Sequence, residues 1–568
     1  MKTKWGESLH KTDILTEYPR PQMVRESYLN LNGIWQYAIT ETENLPDQLD
    51  GDILVPFSPE CELSGVMRSL SPTQTLWYQR TLKISSNFNV GRVLLHFGAV
   101  DQQATVYLNG TEVCSHVGGY TPFSADITAH LKEENVILVK VRDLSDSSCH
   151  SRGKQKSKRG GIWYTAQSGI WQTVWMESVP NDYISSLCIT PLFDESAVEL
   201  TVLSESSIQC NTNVGGQNIS FPPNEPVKLR LDSFIPWSPE YPYLYDFTVT
   251  MGEDRVGSYF GMRKFSVDTD ENGIKRLFLN NKPYFHNGLL DQGYYSDGMY
   301  TAPSDEAMIF DIQTAKDMGF NMLRKHIKIE PLRWYYHCDR IGMLVWQDMI
   351  NGGGDYKPIT ITSPVVTDIH FKDSHYSWFA RSDAEGRRQY YIELDEMIRH
   401  LYNAVSIGMW VPFNEGWGQF DASKAVDRIL KLDTTRTIDH ASGWHDQKIG
   451  EIKSLHVYFR KYRYQSDKLG RAVVLSEFGG YNFRVNGHCF NEKDFGYKRF
   501  ETAEELMSAY NNLYETEILP AKKEGLCATV YTQLTDVEDE LNGLISYDRK
   551  VIKLPVNRVK EINERLND

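Results

Sequence analysis

The pattern of apolar residues changes near residue 270, and that change limits the chain to a few architectures. Before it, short alternating runs follow one another without a helical period. Residues 31–37 and 104–108 alternate, and the second run ends in Asn109-Gly110, a strong two-residue hairpin signal. Runs at 136–141 and 173–176 continue the series. Many short strands parted by turns mean a sandwich or jelly roll. Residues 181–266 repeat the pattern at the length of an immunoglobulin-like sandwich, crossed by a Pro-rich stretch at 234–242.

After residue 270, strands alternate with helices. Residues 284–290 read as a short apolar strand. Pro303 and Ser304 then open a helix, with Asp305 and Glu306 where the helix dipole favours acids and Gly319 at its end. Met308, Ile312 and Ala315 share its apolar face. Further strands are expected at 320–327, 343–348, 407–414, 437–440, 455–459, 472–477 and 527–534. Eight βα units in about 300 residues fit a (β/α)8 TIM barrel. A doubly wound sheet is the competitor, but no GxGxxG follows a first strand. The expected fold is therefore multidomain: a jelly-roll β-sandwich over 1–180, an immunoglobulin-like β-sandwich over 181–266 and a TIM barrel over 267–568. A chain of 568 residues needs such a division, because single cores stop growing at roughly 250–300 residues.

Composition narrows the function. A formal charge of −15 argues against a nucleic-acid partner, which wants a basic face. The most basic stretch, 152–159, is short, holds no aromatic and reads as a surface loop. No run approaches the 18 or so apolar residues of a membrane span, and the N-terminus has no apolar signal core. The eight cysteines form no CxxC pair. A reduced, cytoplasmic protein is the expectation, with a processed secreted form as the alternative.

In a TIM barrel, catalytic groups sit at the C-terminal ends of strands. Asn414-Glu415 follows the apolar run 407–413, and Glu477 follows 472–476. A lone glutamate there is readily explained as a barrel-end salt bridge. Two at one mouth point to paired carboxylates, one protonated to serve a leaving oxygen and one ionised to attack an anomeric carbon.

Residues 403–415, ending Trp410-Val411-Pro412-Phe413-Asn414-Glu415, resemble the acid/base signature of glycoside hydrolase family 2. Residues 321–326 are similar to that family's strand-two motif, with Arg324 and His326 in the matching places. Leu475-Ser476-Glu477-Phe478-Gly479 resembles its nucleophile segment, and Gln167-Ser168-Gly169-Ile170-Trp171 the end of its sugar-binding domain. The resemblance covers nearly the whole chain. It implies a retaining exo-β-glycosidase acting on a carbohydrate substrate, with Glu415 as acid/base and Glu477 as nucleophile. It also implies that Asn414 meets the sugar 2-hydroxyl and that Tyr458 touches the nucleophile. β-Galactosidase is the first expectation; β-glucuronidase, α-L-arabinosidase and β-mannosidase follow.

Further substrate contacts are expected from Arg324, His326, His456, Asp291, Asp348 and Trp444, each with a structural alternative. These are an ion pair for Arg324, a satisfied core histidine for His326 and His456, a solvated loop edge for Asp291 and Asp348, and core packing for Trp444. Departures from the family pattern stand at Lys325-His326-Ile327-Lys328 and at Asn482-Phe483-Arg484, where an Asn-x-Lys marks uronate recognition. Arg484 could itself pair with a carboxylate. No HxH or HExxH occurs, and no cofactor or metal is expected. Residues 350–382 exceed an ordinary βα loop and are read either as a lid or as a contact in a homo-oligomer.

Overall fold

The computed structural model describes residues 1–568 except 86, 87, 89, 90, 368, 567 and 568. The first sandwich packs a four-stranded sheet (Tyr28–Asn30, Val174–Val179, Arg92–Phe97, Phe123–Asp126) on a six-stranded one. The larger sheet runs Gly51–Val55, Gly33–Thr40, Thr75–Lys83, Glu134–Arg142, Gln103–Leu108, Thr111–Val117. Period-2 alternation places Trp35, Tyr78, Val106, Val139, Phe97 and Met176 in the space between them. Asn109 and Gly110 both take positive φ, joining Leu108 to Thr111 as the hairpin signal requires. The second sandwich pairs a three-stranded sheet (Ser186–Leu192, Ala197–Leu203, Val227–Arg230) with a four-stranded one (Gln217–Phe221, Cys210–Val214, Tyr245–Met251, Asp254–Phe260).

Eight parallel strands then form a nearly closed barrel: His286–Asp291, Met322–Lys325, Leu344–Asp348, Ile407–Val411, Thr437–Ile438, Ile452–Val457, Ala472–Gly479 and Leu526–Thr532. They are strands one to eight below. Each pairs with its neighbour around the ring, except that among the described residues five and six do not hydrogen-bond. Among the described residues no helix follows strand five or six. Segments 439–451 and 458–471 are too short and too rich in Gly443, Gly450, Asp467 and Gly470 to hold one. A small sheet that the sequence reading missed, Phe265–Thr269 with Lys275–Leu279 and Lys282–Pro283, plugs the barrel floor. Phe265, Leu277 and Leu279 pack there on Met322, Leu344, Val474 and Ala528.

Ser304 stands at the start of the helix Asp305–Asp317 as expected, yet its side chain makes no capping bond. Among the described residues no helix is long and apolar enough to cross a membrane. All eight cysteines are free.

The stretch 152–159 is not the surface loop that its charge suggests. Residues 151–165 form a strap from the first sandwich across the barrel rim. Arg152 N donates to Asn351 O at 2.9 Å, and its guanidinium reaches Gly353 O. Arg159 pairs with Asp539 at 2.7 Å, and Tyr164 donates to Glu540. The strap thus spans from the segment after strand three to the segment after strand eight. The described residues of 350–382 meet the same rim at two points: His445 Nε2 bonds Thr360 O at 2.6 Å, and Arg381 donates to Gly418 O at 2.8 Å.

Candidate active site

Strand two alternates in and out of the barrel. Met322 and Arg324 face inward, whereas Leu323 and Lys325 face the helical layer. Arg324 is fully buried and gathers four strands around itself. Its Nε donates to Asp348 at 2.9 Å, Nη1 to Glu477 and to Ser476 O at 3.1 Å each, and Nη2 to Asn414 Oδ1 at 2.8 Å. His456 Nε2 stands 3.5 Å from Nη1.

Glu477 owes its direction to an irregularity. Along strand seven, Val473 and Leu475 face outward and Val474 inward, so strict alternation would send Glu477 out as well. The register with strand six shifts there: Leu455 pairs with Leu475, but His456 pairs with Glu477. This bulge turns Glu477 inward, the kind of re-aiming that bulges perform beside active sites. Its carboxylate receives Arg324 and the Tyr458 hydroxyl. Burial and the charge of Glu477 hold the Tyr458 phenol well above 10, so it acts as a donor.

Glu415 lies beyond strand four, its backbone N–H held by Ser442 O at 3.0 Å and its φ at +50°. A non-glycine residue there stores about 1–3 kcal/mol of strain, the sort that gathers at functional sites. Burial pushes its carboxyl up to about 7, against the pull of Lys154 and Arg324. His456 Nδ1 bonds its Oε1 at 2.7 Å. Carboxylate oxygens of Glu415 and Glu477 lie within 4.8 Å of each other, with a ring nitrogen of His456 in the same group. Among the described residues these three side chains form the group close enough to hold a metal ion. Arg324 already supplies a positive charge to them.

The remaining predicted residues divide. Asn414, Tyr458, His456 and Arg324 contact one or both glutamates or the guanidinium between them. Trp444 stands beside His456, ring centroids 6.2 Å apart. Asp348 bridges Arg324 and His326, whose Nδ1 it meets at 2.7 Å. Asp291 does not join them. It shares the outward phase of Leu289 and is paired with Lys325 at 2.6 Å, beside the Lys325–Glu330 contact at 2.8 Å. Arg484 is likewise held on its own loop, by Asn491 O at 2.8 Å and Glu492 at 3.3 Å.

Sequence reasoning missed Lys154. This lysine of the strap is 5% exposed, and its ammonium makes no hydrogen bond or ion pair among the described residues but lies over the Tyr164 and Trp417 rings, 5.7 Å from each. Its charge acts on Glu415, His326 and His456 together. Nothing local in the sequence reports its burial, which comes from the docking of one domain on another.

The Arg324 junction invites a direct test. Arg324→Leu strands Asp348 and Glu477 without their shared counter-charge, so stability should fall by about 3–5 kcal/mol. Urea unfolding followed by fluorescence measures it; a loss under about 1 kcal/mol would mean that the junction is not holding these carboxylates.

Comparison with known proteins bears on the whole chain. Residues 64–180 match the family description "Glycosyl hydrolases family 2, sugar binding domain", 183–263 match "Glycosyl hydrolases family 2", and 272–476 match "Glycosyl hydrolases family 2, TIM barrel domain". A beta-galactosidase of Thermoanaerobacter pseudethanolicus is 25% identical over 63% of this chain and 47% of its own length. A beta-glucuronidase of Streptococcus agalactiae is 23% identical over 70% of this chain and 68% of its own. The chain spans under half of the first of these, and 43% of a 28%-identical relative from Formosa agariphila. Among solved structures, a Ruminococcus gnavus beta-glucuronidase superposes with a TM-score of 0.75 at 15% identity, covering 97% of this chain and 99% of that one. A GH2 beta-galacturonidase of Eisenbergiella tayi gives 0.71 at 19%, covering 97% and 99%. These structural likenesses concern the fold. With three successive family segments in order along one chain, and the two sandwiches and barrel that they describe, the protein belongs to glycosyl hydrolase family 2.

Proposed function

We propose that the chain is a retaining exo-β-glycosidase that removes terminal sugars through a covalent glycosyl-enzyme, with Glu477 as nucleophile and Glu415 as acid/base. The observation that carries this reading is that one oxygen of the Glu415 carboxylate lies within 4.8 Å of one oxygen of the Glu477 carboxylate, a nearest-atom approach. Retaining enzymes hold their pair about 5–5.5 Å apart, whereas inverting ones need about 6.5–9.5 Å to admit a water. The unequal surroundings suit the two roles. Glu477 faces the donors Arg324 and Tyr458, while burial keeps Glu415 protonated into the neutral range.

Asn414 fits its expected contact. Arg324 can only donate, so it fixes Oδ1 toward itself and leaves Nδ2, which has no partner among the described residues, for a sugar 2-hydroxyl. His326 is oriented by Asp348, and the Trp444 ring offers an apolar face beside the pair. The strap supports the exo reading, because it closes one side of the rim to a passing polymer chain.

β-Galactoside is the first reading of the sugar. A second, β-uronide, is favoured by one observation: Lys154 brings to the site a positive charge with no carboxylate partner among the described residues, where a sugar carboxylate could meet it. Nitrophenyl β-galactoside, β-glucuronide, β-glucoside, β-mannoside and α-arabinoside separate these readings. About a 100-fold preference in kcat/KM for the galactoside sustains the first. A comparable preference for the glucuronide that collapses in Lys154→Met sustains the second. Turnover of none of the five would sink the glycosidase reading.

A further inference from the structure

His456 was expected to touch substrate, but its surroundings describe another task. The ring is clamped. Gly443 lies flat against it at φ +83°, where an added Cβ would come within 2.4 Å of the His456 Cγ, and Trp444 stands on its flank. Both nitrogens are committed to protein groups. Nδ1 meets Glu415 Oε1 at 2.7 Å, and Nε2 meets Ser442 Oγ at 3.2 Å with Arg324 Nη1 at 3.5 Å.

Resting on the assignment of Glu415 as acid/base, we propose that His456 is the positioning residue of that acid. It is a neutral imidazole whose Nδ1–H holds Oε1 and leaves Oε2 as the oxygen that carries the working proton. The tautomer follows from donor chemistry. A guanidinium has N–H groups and no lone pair to give, so the ring nitrogen facing it must present its own lone pair. The Ser442 hydroxyl can donate to the same nitrogen. The competing arrangements put the proton on Nε2, donating to Ser442 Oγ at 3.2 Å or toward Glu477 Oε1 at 3.6 Å, and both would turn an N–H toward the Arg324 guanidinium 3.5 Å away. The ring's proton therefore sits on Nδ1.

Arg324, Glu477, Asp439, Lys154 and Glu415 are the charged groups around the ring. Burial, the largest influence, takes its imidazolium down to about 4, so the ring stays neutral at working pH. One guanidinium thus anchors the nucleophile and fixes the hydrogen bond that orients the acid.

The proton traffic balances with His456 keeping its own proton throughout. As Glu477 attacks C1, the C1–O bond breaks, its electron pair stays on the leaving oxygen, and that oxygen takes the proton from Glu415 Oε2. In the second half, water bonds to C1, the ester to Glu477 breaks, and Oε2 takes the water's proton. Oε1 accepts from Nδ1–H in both states.

The test uses the full chain, with His456→Leu, His456→Gln and Glu415→Ala assayed on aryl β-galactosides (or β-glucuronides if the sugar panel selects them) of graded leaving ability. His456→Leu should lower kcat/KM, which reports the glycosylation step, by about 10–100-fold on the phenyl glycoside and by under about 3-fold on the dinitrophenyl glycoside. Removing a donor from the ionised carboxylate raises its pKa, so the basic limb of kcat/KM should move up by about 0.5–1 in pH. His456→Gln retains a donor and should recover most of kcat/KM and the wild-type limb; it keeps the test decisive if leucine does not fold. A KM rise of equal size on both substrates would make His456 a sugar ligand. A downward limb would mean that Nδ1 accepts, and an unmoved limb that the contact is structural; any of the three overturns the proposal. The underlying assignment fails separately, if Glu415→Ala shows no dependence on the leaving group.

Discussion

Glu477→Gln is expected to leave a folded protein whose turnover is at least about 10⁴-fold lower, a loss of about 5 kcal/mol in transition-state stabilisation. The side chain keeps its shape, and Asp348 still balances Arg324 at 2.9 Å, so the melting temperature should move little. What vanishes is the nucleophile. An amide cannot form the glycosyl ester, and its NH2 would confront one of the two donors that Glu477 now accepts from, Arg324 at Oε1 or Tyr458 at Oε2. Stopped assays with a nitrophenyl glycoside and a thermal melt on the same sample separate chemistry from folding. Residual activity within 10-fold of the parent would remove Glu477 from the reaction.

Glu415→Ala should behave differently, because only some substrates need a proton. On glycosides with poor leaving groups kcat should fall by about 10²–10⁴-fold, and on dinitrophenyl glycosides the glycosylation step should be nearly spared. Alanine is the right replacement, since glycine would also relieve the strained φ and confound stability with chemistry. The pH profile carries the same signature. The acid works protonated, and burial raises it to about 7. As pH climbs through 7 that proton is lost, so kcat/KM for poor leaving groups should decline about tenfold per pH step above it, while activated substrates decline less. Equal losses on both substrate types, or a basic limb far from 7, would refute the assignment.

What the sequence made legible was whatever local chemistry decides. An apolar run ending in Asn414-Glu415 or in Ser476-Glu477 announces a strand and a carboxylate at its mouth, because no other placement of that run buries it. Asn109-Gly110 announces its hairpin for the same local reason. Failures came where the answer depends on something distant. Asp291 sits at a strand end like the two glutamates, but one step of side-chain parity sends it to Lys325 instead. Glu477 would have gone the same way without a bulge at Ser476 that no residue type signals. Lys154 reads as solvated charge until the first sandwich is laid on the barrel. Strands five and six lack helices among the described residues, which strand spacing alone could have suggested.

The strap has a consequence for how specificity can change. Lys154 and Tyr164 ride on a scaffold that contributes none of the barrel's eight strands, and the strap that carries them bonds to the segments after strands three and eight. Rewriting these few positions need not disturb the carboxylate pair or the guanidinium beneath it. A contact between Lys154 and a sugar would thereby be encoded apart from the residues that hold the carboxylate pair.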